Sequence, residues 1–406
     1  VNEILSVGLI LMAALVAGHL AQLARVPEVT GYLLVGVAIG PALLDLISHD
    51  DVQTLGFLSE VALGLILFGI GAIFEASNFR RVGRGVVAIT AAESLGALVL
   101  VSLGLLLAGM PAPVALLLGV IAMETAPATT LMVLHEYDAR GPLTDRLLAL
   151  IALNNMFVLV AYGLVSAALT LATRPGDGLL AVGYRAGFGL VWSTVGAVAL
   201  GIVLGLVVDA WAARAREAGE GMILAMGMVL VAVGAARALG LSPLFATLAL
   251  GATVANTSRQ GEFLLKALGR ADPPLYAAFF VLAGAELRPA SLLTVGMAGA
   301  VYVVLRAAGK LAGALLALRR QDVPEAVRRN LGLCLLSSSS LAIGLTIQVR
   351  ASFPALAPAV TGVALAAVLV FEIVGPLLAR RALIRSGEAQ TQPSPLEETA
   401  EPSLTP

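Results

Sequence analysis

Seven ionisable residues stand inside apolar runs of this 406-residue chain: Glu93, Glu124, Arg237, Glu286, Arg306, Lys310 and Glu372. A charge in hydrocarbon is costly unless it is paired or wet, so each is a candidate for handling an ion or a proton. Lys310 is the sharpest, because the chain has only two lysines, Lys266 and Lys310, and uses arginine elsewhere. A desolvated lysine can lose its proton and an arginine cannot. Arg306 lies one turn earlier on the same helical face, either as a supporting charge or as an ion-pairing residue of the packing. Glu124 can bind a cation, pair with Lys310 or cap a half-helix, and Glu93 is a deep supporting charge. Glu60, Glu75, Glu286 and Glu372 lie nearer the ends of their apolar runs, where snorkelling or interfacial pairing accounts for them. Asn154 and Asn155 place two amides side by side in an apolar helix. Their carbonyl oxygens can coordinate a cation, but an amide exchanges no proton near neutral pH.

These groups gather around two interruptions. Apolar helix from Val114 runs into Glu124, Thr125, Ala126, Pro127, Ala128, Thr129 and Thr130 before turning apolar again, and a second polar run is Ser337, Ser338, Ser339 and Ser340. Pro127 pushes Ala126 out of helical geometry, and the hydroxyls can take up the backbone groups this frees. Irregular backbone at membrane depth survives only inside protein or beside water. Where two such breaks cross, half-helix ends of opposite partial charge converge and can hold a small ion with the help of a charged side chain.

The elements that position them are membrane helices. The chain is 59% hydrophobic and 13% charged, far from the make-up of soluble domains. Runs long enough to cross about 30 Å of hydrocarbon recur without strand alternation, and about thirteen spans are expected. The excess of Lys and Arg in alternate loops puts the N-terminus outside and the C-terminus in the cytoplasm, as a multi-pass protein of the cell (inner) membrane. Cys334 lies inside a span and rules out an intrachain disulfide; Glu3 without a basic n-region predicts a first membrane helix and no signal peptide. A net charge of −1 argues against a nucleic-acid partner. Three scattered histidines, no nucleotide loop and no hydrolase triad predict a non-enzyme without cofactor or resident metal.

The chain also repeats itself. An offset of about 212 to 216 residues relates Pro27 with Gly36 to Pro243 with Gly251, the run Phe68–Glu75 to Phe280–Glu286, and Thr125-Ala126-Pro127 to Ser337–Ser340. Six spans, a linking span and six more make two halves of inverted orientation. The polar, Pro-rich residues 384–406 are expected to be a disordered cytoplasmic tail.

The two breaks, the amide pair 154–155, Arg306-x-x-Gly309-Lys310, Pro27-to-Pro41 and Phe280–Gly284 together resemble the monovalent cation:proton antiporter superfamily, over roughly residues 5–383. The resemblance implies an elevator transporter, usually a homodimer, exchanging a monovalent cation (Na+ or K+) for protons. Residues 1–78 and 218–290 would be dimer scaffold, 79–173 and 291–383 the mobile transport core, and 174–217 the linker helix. It also implies that the position of Asn155 is normally an aspartate binding cation or proton in turn, that the residue before it is Asp or Asn, and that the lysine matching Lys310 pairs with that first position when it is Asp.

Asn155 departs from this pattern, and Lys310 is left without its usual carboxylate. Four readings follow. The carboxylate has moved to Glu124, with Lys310 titrating; the chain is an Asp-to-Asn variant with a neutralised site; it carries an anion or organic acid on Lys310 and the half-helix N-termini; or it is a non-transporting or channel-like relative.

Overall fold

The computed structural model describes residues 3–24, 26–73, 76–173, 188–189, 191–212, 217–258, 260–268, 272–287, 290–338 and 340–390. All regular structure among them is helical. The helices are α1 (Glu3–Leu23), α2 (Glu28–Ile39), α3 (His49–Thr54), α4 (Gly56–Ile73), α5 (Ala76–Leu107), α6 (Ala112–Ala122), α7 (Pro127–Glu136), α8 (Pro142–Thr173), α9 (Ala197–Ala212), α10 (Ala218–Ala238), α11 (Pro243–Thr257), α12 (Gly261–Leu268), α13 (Asp272–Glu286), α14 (Ala290–Leu318), α15 (Glu325–Cys334), α16 (Ser340–Ser352) and α17 (Ala357–Ser386). Eight segments among the described residues are long and apolar enough to cross a membrane, and four shorter apolar helices accompany them. This is an all-helical, multi-pass membrane protein. Glu75, Ser339, the region 174–187 and the tail from 391 onward lie outside the described residues, as do the side chain of Ser340 and many loop arginines.

Glycine decides where the helices touch. Between membrane helices there is little hydrophobic drive, so association rests on close packing of small residues. Gly309-x-x-x-Gly313 on α14 lies against Ala92 and Gly96 on α5. A Cβ placed on Gly309 would stand 2.5 Å from the Gly96 carbonyl oxygen, and one on Gly96 would stand 2.5 Å from that of Gly309. The two backbones are therefore in direct contact, one residue from Lys310 and three from Glu93. The same logic joins α2 to α13, at Gly36 and Gly284, and α4 to α11, where Gly71 meets the backbone of Leu248 and Ala252. Because the atoms opposite Gly309 are backbone, Gly309→Ala is expected to force α5 and α14 apart and destabilise the protein by about 1–3 kcal/mol, as overpacking does. A melting temperature measured in detergent checks this.

Two expectations are corrected here. Residues 384–390, read as the start of a disordered tail, complete α17 and then fold back on the α7–α8 loop. The Glu388 carboxylate accepts hydrogen bonds from Leu143 N (2.7 Å), Thr144 N (2.8 Å) and the Thr144 hydroxyl (2.8 Å), capping the first turn of α8. Glu372, read as lying near a span end, is buried in the middle of α17 because that helix runs on to Ser386.

Candidate functional site

Both polar runs are breaks between half-helices. α6 ends at Ala122 and α7 begins at Pro127, whose missing N–H suits a first helical position. α15 ends at Cys334 and α16 begins at Ser340. The two breaks meet: Ala126 N donates to the Ser337 carbonyl at 3.1 Å. At such a meeting the carbonyls that end α6 and α15 have no intrahelical partner. Arg306 supplies one. Its Nη1 donates to Leu336 O (2.7 Å) and its Nη2 to Glu124 O (2.7 Å) and Ser337 O (3.1 Å). A guanidinium fork placed between two negative helix ends satisfies their carbonyls and their dipoles together. Its other face is closed by Phe371, with the ring centroid 4.1 Å away.

Lys310 is fully buried, and each of its three protons has an acceptor. Nζ donates to Glu93 Oε2 at 2.6 Å, to Thr125 Oγ1 at 2.7 Å and to Met123 O at 2.8 Å. Glu93 is likewise fully buried, and its other oxygen, Oε1, accepts from Asn154 Nδ2 (2.7 Å) and from Ser94 Oγ (2.9 Å). Asn154 completes the ring, since its Oδ1 accepts from Thr125 N at 2.8 Å. That bond fixes the amide's orientation, because a backbone N–H needs the oxygen and a carboxylate needs the nitrogen. Thr125 then donates its hydroxyl to Leu335 O at 3.2 Å, linking the ring to the second break.

The carboxylate beside Lys310 is therefore Glu93 of α5, and of the roles open to Glu124 pairing with Lys310 is not the one observed. Glu124 turns the other way: its Oε2 accepts from Ser338 Oγ at 3.0 Å and lies 3.9 Å from Arg306 Nη2. The structure brings Glu93, Glu124, Thr125, Ala126, Asn154, Arg306, Lys310, Ser337 and Ser338 into this one buried cluster. Pro127 starts α7 beside it, and Thr129, one turn of chain further, donates to Glu372 Oε2 at 3.0 Å. Asn155 is buried without joining the ring, and its Oδ1 accepts no hydrogen bond. Consecutive helical residues point about 100° apart, which is why two adjacent amides serve differently. Arg237 does not belong to the site; it pairs with Glu60 at the half-exposed ends of α10 and α4.

The pairing of Glu93 with Lys310, the part of Ser94 and the depth of Glu372 escape a residue-by-residue reading. The signal that was available for the first is the Gly309-x-x-x-Gly313 spacing on one helix and the small pair Ala92 and Gly96 on the other. A cavity of about 370 Å³ beside the α7–α8 loop is lined by His135, Asp138, Arg140 and Thr144 and reaches Ala128 in the first turn of α7.

Comparison with known proteins agrees with this architecture. The family described as sodium/hydrogen exchanger, transmembrane, matches residues 9–381. The chain is 25% identical over 288 residues to the ammonium/H(+) antiporter subunit AmhT of Alkalihalophilus pseudofirmus, a match covering 69% of this chain and 70% of that one. It is 26% identical over 179 residues to the iron transporter MagA of Paramagnetospirillum magneticum, covering 43% of this chain and only 40% of the relative. Among solved structures, the sodium proton antiporter MjNhaP1 of Methanocaldococcus jannaschii has a similar fold, with a TM-score of 0.76, 18% identity, and coverage of 96% of this chain and 99% of that one. Matched by that family's model over nearly its whole length, and folded like a solved antiporter, the chain belongs to the transmembrane sodium/hydrogen exchangers, a family of antiporters rather than enzymes.

Proposed function

We propose that this protein exchanges a monovalent cation for protons, and that Glu93 takes over the work of the carboxylate that Asn155 lacks. The observation that carries this reading is the fully buried Lys310–Glu93 pair, tied to the first break through Thr125 and Met123 and to α8 through Asn154. A cation drawn to Glu93 displaces the ammonium. Once separated from its carboxylate in a dry site, Lys310 releases a proton, and that proton leaves in exchange. The unpartnered Oδ1 of Asn155 supplies a neutral oxygen to the incoming ion. At the Lys310–Glu93 pair the charge change is balanced, one cation bound for one proton released. An anion carrier would need an open positive site, whereas all three protons of Lys310 already have acceptors.

The finer architecture belongs to the same proposal: thirteen spans in two inverted halves, an elevator cycle, a homodimer, and an inner-membrane protein with N-terminus outside and C-terminus in the cytoplasm. Residues 1–78 and 218–290 form the scaffold, 79–173 and 291–383 the moving core, and 174–217 the link. The repeat offset relates Gly96 to Gly309, and the contact of these two is reciprocal, as a pseudo-two-fold axis between α5 and α14 requires. The cross-packing of α2 on α13 and of α4 on α11 supports the same symmetry.

Reconstituting the chain and its Asn155→Asp form in liposomes, with internal pH followed as sodium, potassium, lithium or ammonium chloride is added outside, tests the proposal. Cation-dependent proton efflux from the unmodified chain is the expected result. Exchange by the Asp form alone would mean that position 155 has been silenced, and flux that follows the anion would overturn the reading.

A further inference from the structure

The buried charges of the spans do not balance. Among the described residues they are Glu93, Glu124 and Glu372 against Arg306 and Lys310; the remaining buried acid, Asp51, belongs to the capping box of the short helix α3. Lys310 neutralises Glu93, and Arg306 lies beside Glu124. Glu372 is the acid left over. Its hydrogen-bond donor is the neutral hydroxyl of Thr129, and the charged groups acting on it are Glu124, from the first break, and Arg306, from α14. Arg306 is already committed to three carbonyls. A lone negative charge in so dry a place is strongly disfavoured, and the available remedy is a proton.

The location of Glu372 suits a proton that comes and goes. Thr129 is in the first turn of α7, and its neighbour Ala128 lines the cavity that opens at His135 and Asp138. A threonine hydroxyl both donates and accepts, so water that reaches Thr129 from the cavity side can hand a proton through it to the Glu372 carboxyl. Phe371, the residue before Glu372, is the ring that Arg306 covers, so α17 is held against the crossing where the cation is exchanged.

We propose that Glu372 is a second proton-carrying carboxylate, loaded and unloaded through the Thr129 hydroxyl. The proposal rests on the exchange reading above and deepens it. Per cycle, one cation entering is matched by two protons leaving, one from Lys310 Nζ and one from the Glu372 carboxyl, so net positive charge moves outward with the protons and the exchange responds to membrane potential. With Gln at 372 one proton is lost from the cycle, and exchange becomes one for one.

The test uses the full chain in liposomes loaded with a pH dye, with the potential clamped by potassium and valinomycin and a sodium gradient as the probe, or lithium where sodium is not exchanged. The wild-type chain is expected to reverse its flux at a potential set by two protons per cation. E372Q is expected to exchange without voltage dependence, E372D to restore it, and T129V to slow exchange several-fold with the voltage dependence kept. Voltage-independent exchange by the wild type overturns the proposal, as does an unaltered reversal potential in E372Q; both leave cation:proton exchange standing. A wild-type chain that moves no protons with any cation overturns the exchange reading and this one with it. Should E372Q fail to fold, as judged by gel filtration, T129V decides: slowed exchange supports the relay, and an unchanged rate overturns it.

Discussion

Glu93→Gln is expected to abolish cation-driven proton exchange, lowering the rate at least about 100-fold, because it removes the charge on which cation and ammonium compete; each tenfold corresponds to about 1.4 kcal/mol of lost differential interaction. The same change leaves Lys310 buried without a counter-charge. Breaking a buried pair from one side costs about 3–5 kcal/mol. The exchange assay is therefore paired with thermal unfolding in detergent. E93Q alone should be markedly less stable, and E93Q combined with Lys310→Met should regain much of that stability while remaining inactive. This double-mutant cycle separates the energetic worth of the pair from its role in transport. Full activity in E93Q, alongside loss of activity in Glu124→Gln, would return the coupling carboxylate to Glu124.

The second large effect is expected at Arg306. Arg306→Ala strips donors from three buried carbonyls, Leu336, Glu124 and Ser337, at the point where the two breaks meet. An unsatisfied buried acceptor costs about 1–3 kcal/mol, and the change also leaves Glu124 without its nearby cation. A loss of at least about 4 kcal/mol follows, enough to prevent a stable preparation or to lower the melting temperature severely. Arg306→Lys keeps the charge but not the fork. One ammonium cannot reach Leu336 on one side and Glu124 with Ser337 on the other in the guanidinium's planar geometry. An intermediate stability and weak exchange are expected. A fully stable Arg306→Ala protein would show that water can satisfy the crossing without the side chain.

The chemistry was legible where it is local. Both breaks can be read from the sequence, because Pro127 and the hydroxyl runs are out of place in apolar helix whatever surrounds them, and the half-helices do end at Ala122 and Cys334. The buried charges could also be listed, since desolvation is a property of the residue and its apolar neighbours. Asn154 and Asn155 were marked as a pair, but their different surroundings depend on which helix lies opposite each face of α8.

Partnership was not legible, and it is what the tertiary structure decided. Glu93 and Lys310 are 217 residues apart, and three carboxylates compete for two cations in the same few helical turns. What selects Glu93 is the backbone contact of Gly96 with Gly309, which aligns α5 with α14. Glu372 was misplaced because α17 runs on to Ser386, where Gly387 caps it in the left-handed conformation, and the Glu388 clasp onto residues 143–144 of α8 is a contact between distant parts of the chain. An ion pair in low dielectric is won or lost over distances of an ångström. Composition and spacing name the charges that must be neutralised, and the helix crossings determine which of them meet.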